Sequence, residues 1–115
     1  MLNQTLRVDC ELPLDLVTNG LYDTIQKLAP FGMGNPVPVF VSKGVVIEDV
    51  RLVGAEGKHL RFRFKGFDGI WFNAGDRAAE FKIGDKVSLA YTIDQDLWNG
   101  NKRLQLKIKD LKRRD

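Results

Sequence analysis

Basic side chains cluster in two short stretches of this 115-residue chain. Residues 58–65, KHLRFRFK, carry four Lys or Arg and no acid, and residues 99–115, NGNKRLQLKIKDLKRRD, carry seven against two Asp. Together they hold 11 of the 18 basic side chains and 2 of the 15 acidic ones, in a chain of net charge +3. Such clusters are typical of a surface that binds a polyanion, although two solvated strand faces would give the same pattern.

Two tryptophans lie near the basic stretches, and aromatic rings beside cations fit the same kind of polyanionic ligand. Proteins that bind single-stranded nucleic acid combine cations along the backbone with aromatic faces on which bases stack. The alternation of its strand predicts that Trp71 points outward, and Trp98 lies on a predicted hairpin tip. The alternatives are that a helical insertion or a neighbouring domain covers Trp71, and that Trp98 is a lid over one end of the fold. The aromatic residues that we assign to the core are Phe62, Phe64, Phe72 and Tyr91.

The residues that most enzymes need are missing from the sequence. A single cysteine, Cys10, excludes an internal disulfide framework and paired-cysteine zinc sites, and one histidine, His59, excludes a His-based metal cluster. The segment 32–36, GMGNP, resembles a phosphate loop only superficially, because it follows a predicted helix and ends in proline. Asp94 and Asp96 have no histidine or third carboxylate nearby. We therefore expect no catalytic residue, metal ligand or cofactor in this chain.

Length and composition predict one globular domain with its own core. Hydrophobic residues make up 43% of the chain and charged residues 29%, which is ordinary for a folded soluble protein. No apolar run approaches the roughly 18 residues that cross a bilayer, and residues 1–10 lack the layout of a signal peptide.

The first part of the chain predicts a helix followed by a rigid connector. Apolar residues recur from Pro13 at spacings of three and four, which is typical of an amphipathic helix, and Pro30 ends it. These apolar positions are Leu14, Val17, Leu21, Ile25 and Leu28. The segment 30–40, PFGMGNPVPVF, is rich in proline and glycine and predicts an irregular connection.

The remainder predicts five strands with a helical insertion, Ala74–Ile83, between the third and the fourth. The strands are predicted at Phe40–Val53 with a bend at Gly44, His59–Lys65, Ile70–Asn73, Lys86–Asp94 and Lys102–Lys112. Asp68-Gly69 and Asn99-Gly100 are the predicted hairpin turns. Alternation places Leu60, Phe62 and Phe64 inward on the second strand. On the third strand it places Ile70 and Phe72 inward, with Trp71 and Asn73 outward.

This pattern fits the OB-fold, a five-stranded Greek-key barrel. Its second and third strands, with the loops after strands one and four, form the usual oligonucleotide platform. The candidate nucleic-acid-binding residues are therefore Lys58, His59, Arg61, Arg63, Lys65, Trp71, Asn73, Trp98, Lys102, Arg103 and Lys107.

Several motifs resemble the C-terminal region of the RecJ family of single-strand-specific 5′→3′ exonucleases. They are PFGMGNPVPVF, VGAEGKHLRFRF, IWFNAG and DLWNGNKRLQLKIKDL, and they occur in the family order over roughly residues 8–112. Within the candidate set, the motifs mark His59 and Trp98 most firmly. The Asp-His-His and Gly-Gly-His elements of the family's catalytic domains are absent.

The resemblance implies a non-catalytic fragment of a cytoplasmic nuclease of DNA repair and recombination that uses Mn²⁺ or Mg²⁺ in its catalytic core. It divides the chain into residues 1–12, a residual edge segment of the upstream domain, residues 13–38, the helix and connector, and residues 39–115, the OB-fold domain. The implied partners are single-stranded DNA and the upstream catalytic domains of the parent chain. The alternative is an architectural or protein-interaction domain that braces the nuclease core or docks single-strand-binding protein. RNA binding by an unrelated OB protein is the third possibility, against which the connector motif argues.

Overall fold

The computed structural model describes residues 8–28 and 37–113, and strands account for most of them. The strands are β1 (Cys10–Glu11), β2 (Phe40–Val46), β3 (Asp49–Val53), β4 (His59–Phe64), β5 (Phe67–Trp71), β6 (Lys86–Trp98) and β7 (Asn101–Arg113). The helical elements are α1 (Asn19–Leu28) and short 3-10 helices at Leu14–Leu16, Ala55–Gly57 and Gly75–Glu80. The described part of the chain is therefore mainly β, as predicted, and holds no helix long and apolar enough to span a membrane.

The seven strands of the described residues form one sheet that curls until its ends meet. Their order is β1-β2-β6-β7-β5-β4-β3, with β1–β2 and β5–β7 parallel and the other pairs antiparallel. Only Ile47 and Glu48 separate β2 from β3 along the chain, although β3 lies at one end of the order and β2 lies next to the other end. The Ile47 N–H donates to the Asp85 carbonyl at 3.0 Å, and the Glu48 N–H donates to the Arg63 carbonyl at 2.8 Å. A sheet closed in this way is a small barrel.

The strand number differs from the predicted five because the first predicted strand is divided. β2 and β3 correspond to the single predicted strand Phe40–Val53, and β1 adds a two-residue parallel edge. The predicted bend at Gly44 is present as a register shift in the β2–β6 pair between Ser42 and Val45. Such an irregularity bends and twists a strand, which helps the sheet to close.

The barrel interior is filled by side chains of β4, β6 and β7, and β4 buries the face that alternation predicted. Its most buried side chains include Leu60, Phe62, Phe64, Val87, Leu89, Tyr91, Leu106 and Leu111. The hydroxyls of Tyr91 and Ser42 hydrogen-bond at 2.8 Å, and the Ser42 Oγ also donates to the Leu12 carbonyl. Burial raises the pKa of Tyr91, so this hydroxyl stays protonated and ties the N-terminal segment to the barrel.

The predicted turn at Asp68-Gly69 is wrong, and the error reverses the faces of the next strand. The turn lies at Lys65-Gly66, where both residues have positive φ, 47° and 83°, as a two-residue hairpin of type I′ requires. Phe62 then pairs with Gly69, and Leu60 with Trp71. Because side chains alternate, this register turns Trp71 inward and places Asp68 and Ile70 on the outside.

Gly69 serves packing inside β5 and is not a turn residue. A Cβ at this position would lie 3.1 Å from the Ile108 side chain and 3.3 Å from the Phe64 ring. Core side chains from β4 and β7 therefore approach the β5 backbone closely here, and a larger residue would require these side chains to shift.

The helix starts later than the sequence predicted. Predicted from Pro13, it begins at Asn19, because the Thr18 Oγ1 accepts a hydrogen bond from the Leu21 N–H at 3.0 Å and caps the first turn. Leu21 and Ile25 pack against the core. The Gln95 side-chain amide donates to Asn19 at 2.9 Å, which attaches α1 to β6. Pro30 and most of the predicted connector lie outside the described residues.

Candidate nucleic-acid interface

Arginines from three strands meet on the outer surface of the barrel. We call this surface the arginine face and define it by Arg51, Arg61, Arg63, Asp68, Phe72, Arg103 and Lys107. Within it, Arg63 lies opposite Asp68 in the β4–β5 register, and Asp68 lies beside Gln105 in the β5–β7 register. Arg61 and Arg103 are the diagonal neighbours of Asp68, so three cations surround one carboxylate.

The three guanidinium groups converge on Asp68 through short hydrogen bonds. The Asp68 Oδ2 accepts from Arg61 Nη2 at 3.0 Å and from Arg103 Nη2 at 3.1 Å, and its Oδ1 accepts from Arg63 Nη1 at 3.1 Å. The Asp68 side chain is only 10% exposed, whereas the arginine side chains are 44–51% exposed. The carboxylate therefore lies below the surface, and the cations cover it.

The environment of Asp68 favours its ionised form. Burial by itself pushes the pKa of this carboxyl upward, but the hydrogen bond and charge of Arg61, with those of Arg103 and Arg63, outweigh it. The net result is a pKa below the ordinary value for Asp. Asp68 thus holds its negative charge at neutral pH.

Shallow grooves run across the arginine face on both sides of Asp68. One, of about 340 Å³, is lined by Val53, Arg61, Asp68, Ile70, Asp96, Arg103, Leu104 and Gln105. The other, of about 210 Å³, is lined by Asp49, Arg51, Arg61, Phe62, Arg63 and Asp68. Arg51 lies opposite Arg61 in the β3–β4 register and hydrogen-bonds to Asp49 at 2.7 Å. The grooves give an extended ligand two adjoining rows of guanidinium groups.

Phe72, which the sequence assigned to the core, is the exposed aromatic side chain of this surface. It follows β5 directly and is 53% exposed. The Lys107 Nζ lies 5.4 Å from the centroid of its ring, and the His59 ring packs against it edge-to-face at 5.2 Å. An exposed ring flanked by a cation is the arrangement on which a nucleobase stacks.

His59 supports this end of the sheet and holds the chain around Phe72. Its Nδ1 accepts a hydrogen bond from the Asn73 N–H at 2.9 Å, so the Nδ1 atom carries no proton. Asn73 has a φ of 63°, and this left-handed turn redirects the chain after Phe72. His59 and Asn73, both predicted site residues, therefore fix the position of the Phe72 ring.

The prediction that Trp71 points outward is wrong. Its side chain is 9% exposed and packs against Phe81, with ring centroids 6.1 Å apart. The Arg77 guanidinium carbon lies 4.8 Å from the centroid of the indole ring. Arg77 belongs to the 3-10 helix Gly75–Glu80, so the helical insertion covers Trp71 as the alternative interpretation held, but the ring faces inward and not outward as that interpretation assumed.

The lysines of the predicted site divide between this face and other surfaces. Lys107 lies on the arginine face, 3.8 Å from Asp94. Lys65 pairs with Asp15 of the N-terminal segment at 2.8 Å, and Lys102 approaches Asp23 of α1 at 3.9 Å. Lys58 is exposed in the loop before β4, where its carbonyl accepts the Gly75 N–H at 3.0 Å. The Trp98 side chain lies outside the described residues; its backbone pairs with Asn101 at the hairpin end.

Acidic side chains nearly balance the cations of this surface. Asp94 and Asp96 lie opposite Gln105 and Arg103 in the β6–β7 register, and Asp96 lines the larger groove. With Asp49 and Asp68 they provide four carboxylates for the five cations of the arginine face. No group of three or more His, Cys, Asp or Glu suited to a metal ion occurs in ranges 8–28 and 37–113. The surface therefore offers hydrogen-bond donors in fixed positions and little excess charge.

The sequence interpretation missed Asp68, Phe72 and Arg51 as members of this surface. Asp68 and Phe72 follow from parity once the β4–β5 turn is placed at Lys65-Gly66, whereas Arg51 joins the surface through its pairing with Arg61 in the β3–β4 register. Asp68 and Ile70 then share a face with Arg61 and Arg63. The signal was present as a Lys-Gly pair, but the stronger Asp-Gly signature three residues later concealed it.

Comparison with known proteins agrees with this architecture. The sequence profile of the RecJ OB domain matches residues 8–110. The single-stranded-DNA-specific exonuclease RecJ of Bacillus subtilis is 34% identical over 87 residues, covering 72% of this chain and 11% of that protein. Its Thermus thermophilus counterpart is 35% identical over 86 residues, covering 75% of this chain and 12% of that protein. The chain thus spans about an eighth of these relatives.

Solved structures give the same result. Thermus thermophilus RecJ in complex with Mn²⁺ superposes with a TM-score of 0.64 and 30% identity, covering 84% of this chain and 14% of that one. A small single-stranded DNA-binding protein from Streptomyces coelicolor, 12% identical, covers 70% of this chain and 96% of its own with a TM-score of 0.53, which supports the fold alone. With a profile match over residues 8–110, this chain belongs to the RecJ OB domain family.

Proposed function

We propose that the arginine face binds single-stranded DNA and that the chain acts as an accessory domain of a RecJ-like exonuclease. The observation that carries this proposal is the exposed Phe72 ring, which lies beside Lys107 on the same surface as the arginine cluster. A base stacked on an exposed aromatic ring contributes roughly 1–3 kcal/mol. Guanidinium groups supply paired N–H donors suited to the phosphates on either side of that base.

The structure changes which residues we assign to this role. Phe72 replaces Trp71 as the stacking platform, since the insertion covers Trp71. The phosphate-binding group consists of Arg51, Arg61, Arg63, Arg103 and Lys107. Lys58, Lys65, Trp98 and Lys102 stay as predicted contacts at the edges of the path, and His59 and Asn73 support the platform.

The activity of the whole protein is part of the same proposal. The relatives are named single-stranded-DNA-specific exonucleases, and this chain matches only 11–12% of their length. We therefore propose that catalysis, with Mn²⁺ or Mg²⁺, takes place in catalytic domains elsewhere in the parent protein. On this view the present chain contributes no catalytic residue and helps to hold the strand beside those domains, in a cytoplasmic nuclease of DNA repair and recombination.

One observation favours a second candidate function, the docking of a protein. Four carboxylates stand among the five cations of the arginine face, and such a mixed surface is suited to a protein partner. The partner would be single-strand-binding protein or the nuclease core itself. Chemical-shift changes on this face with a partner peptide but none with oligothymidine would support this alternative.

The test is the affinity of the 115-residue chain for fluorescently labelled oligothymidine of about 16 nucleotides, the upper site size of one OB fold. Phe72→Leu keeps an apolar side chain but removes the ring, and it should weaken binding at least about fivefold, because stacking is lost. Phe72→Trp keeps a ring and should bind as tightly as the wild type or more tightly.

Lys43→Ala serves as the control for loss of a cation elsewhere. Lys43 lies on β2, where its nearest acidic partner is Glu11 at 3.4 Å, and its removal should change the affinity little. Equal affinities of the wild type and Phe72→Leu would contradict the proposed stacking role of Phe72.

A further inference from the structure

We infer that Asp68, an acid on the proposed DNA-binding surface, is a positioning residue that strengthens DNA binding by fixing Arg61, Arg63 and Arg103 before the ligand arrives. The inference rests on the proposed function of the arginine face. A negative charge by itself repels a polyanion, whereas this inference has the charge of Asp68 strengthen the binding of one.

The geometry separates Asp68 from the ligand while keeping it in contact with the arginines. Its side chain is 10% exposed, and each carboxylate oxygen accepts at least one guanidinium hydrogen bond of 3.0–3.1 Å. Arg61 and Arg63 each give Asp68 one terminal nitrogen. A guanidinium has five N–H donors in a fixed plane, so most of its donors remain for a phosphate.

The benefit of this arrangement is that the arginine side chains are ordered before DNA binds. A long side chain that is free in solution loses rotamer freedom when a ligand immobilises it, and that loss opposes binding. Here the three arginines are already held by a shared carboxylate, so folding has largely met this cost. Arg61 and Arg103 line one of the grooves beside Asp68, and Arg61 and Arg63 line the other.

Asp96 provides the contrast within the same groove. It lines the larger groove with Asp68 and lies opposite Arg103 in the β6–β7 register, but its side chain is exposed. An exposed carboxylate at this place repels a phosphate backbone. Neutralising it removes the repulsion without releasing the cluster around Asp68.

The two acids therefore give opposite predictions for the same change of charge. Asp68→Asn should weaken binding of oligothymidine by about fivefold, because the arginines lose the shared negative charge and one of the two acceptor oxygens and must be ordered by the ligand. Asp96→Asn should strengthen it by about twofold, because one repulsive charge is removed. If both variants bind more tightly than the wild type, Asp68 acts only as a repulsive charge, and the inference is overturned.

A measurement on the unaltered protein keeps the test independent of how well Asp68→Asn folds. The Nε–Hε NMR signals of Arg61, Arg63 and Arg103 should show backbone-like rigidity in the free chain, in contrast to the exposed amino groups of Lys109 and Lys112. Arginine signals as mobile as those lysines would overturn the inference.

The outcomes also separate this inference from the proposed function. If the wild type does not bind oligothymidine at low salt, the proposed function fails, and the NMR signals alone decide whether Asp68 orders the arginines. If the wild type binds and Asp68→Asn binds more tightly, the function stands and the positioning role fails.

Discussion

The two basic stretches look alike in sequence, but the structure uses them differently. In residues 58–65, Arg61 and Arg63 point to one face and meet the buried carboxylate of Asp68. Of the second stretch the structure describes residues 99–113, and among the basic side chains there Arg103 and Lys107 reach that face. Lys102 turns to α1, and Arg113 donates to the Glu80 carbonyl at 3.5 Å. Clustering along the sequence thus shows where basic residues are frequent, whereas the register of the paired strands determines which of their side chains share one surface.

The partners of the two stretches also differ in energetic value. Asp68, the partner of Arg61 and Arg63 of the first stretch, is almost fully covered, so its hydrogen bonds to charged groups are worth more than those of solvated pairs. The Lys102–Asp23 pair joins half-exposed side chains at 3.9 Å, and such surface pairs contribute about 0–1 kcal/mol. The Arg61 and Arg63 side chains of the first stretch, with Arg103 of the second, are therefore expected to be rigid, whereas solvated pairs such as Lys102–Asp23 are expected to be adaptable.

The largest expected effect on stability is that of removing the central acid. Asp68→Ala leaves three guanidinium groups without their shared acceptor, and we expect a loss of about 2 kcal/mol in the free energy of unfolding. Urea denaturation measures it. In the second stretch, Asp23→Ala removes only a solvated partner of Lys102 and should cost less than about 0.5 kcal/mol. Equal losses of unfolding free energy for the two variants would show that the covered acid Asp68 contributes no more to stability than the solvated acid Asp23.

A smaller effect is expected from acid. Because the pKa of Asp68 is lowered in the folded state, its stabilising contribution is complete above its ordinary value of 3.8 and is lost as the pH falls below it. The difference in unfolding free energy between the wild type and Asp68→Asn should be constant above about pH 5. Below 3.8 it should shrink by at most about 1.4 kcal/mol per pH unit.

Comparing the wild type with Asp68→Asn cancels the contributions that other acids, titrating in the same pH range, make to the pH dependence of the unfolding free energy. The hydrogen bond from Arg77 holds the pKa of Glu80 below its ordinary value, but both proteins contain that pair. Denaturant unfolding at several pH values gives the result. A difference that stayed constant down to the lowest pH would contradict the ion-paired state of Asp68.

The barrel and much of its core could be predicted because hydrophobic periodicity is a strong local signal. The alternation at Leu60, Phe62 and Phe64 appears in the structure as predicted, as does the buried series in β6. The Asn99-Gly100 turn is also confirmed and joins β6 to β7.

The faces of β5 could not be predicted because they depend on which of two turn signals closes the hairpin. Asp68-Gly69 is the stronger local signal, but a turn there would remove Gly69 from the strand position where the Phe64 and Ile108 side chains approach the backbone closely. This close packing arises from tertiary contacts, so a short stretch of sequence does not reveal it. Its consequence is the exchange of Trp71 and Phe72 between outside and inside.

Four of the five cations of the arginine face were therefore predicted, whereas Arg51 and the acid at the centre of the face were missed. Arg61, Arg63, Arg103 and Lys107 lie on one face, but the acid that joins three of them and the exposed ring beside them come from β5 and its end. Counting charged residues in the sequence does not identify such an acid, because its importance comes from its burial beneath the arginines.

The measurement that tests the central claim most directly compares two double variants with the same change of charge. Arg61→Ala/Arg63→Ala removes two members of the cluster, and Lys109→Ala/Lys112→Ala removes two exposed cations of the second stretch. Affinity for oligothymidine is measured by fluorescence anisotropy across a salt series. The first variant should lose about tenfold or more, and its log–log salt slope should fall by about 0.7 for each phosphate that it no longer binds. The second should lose less than about threefold. Equal losses would show that total charge, and not the arginine face, governs binding, and would contradict this account.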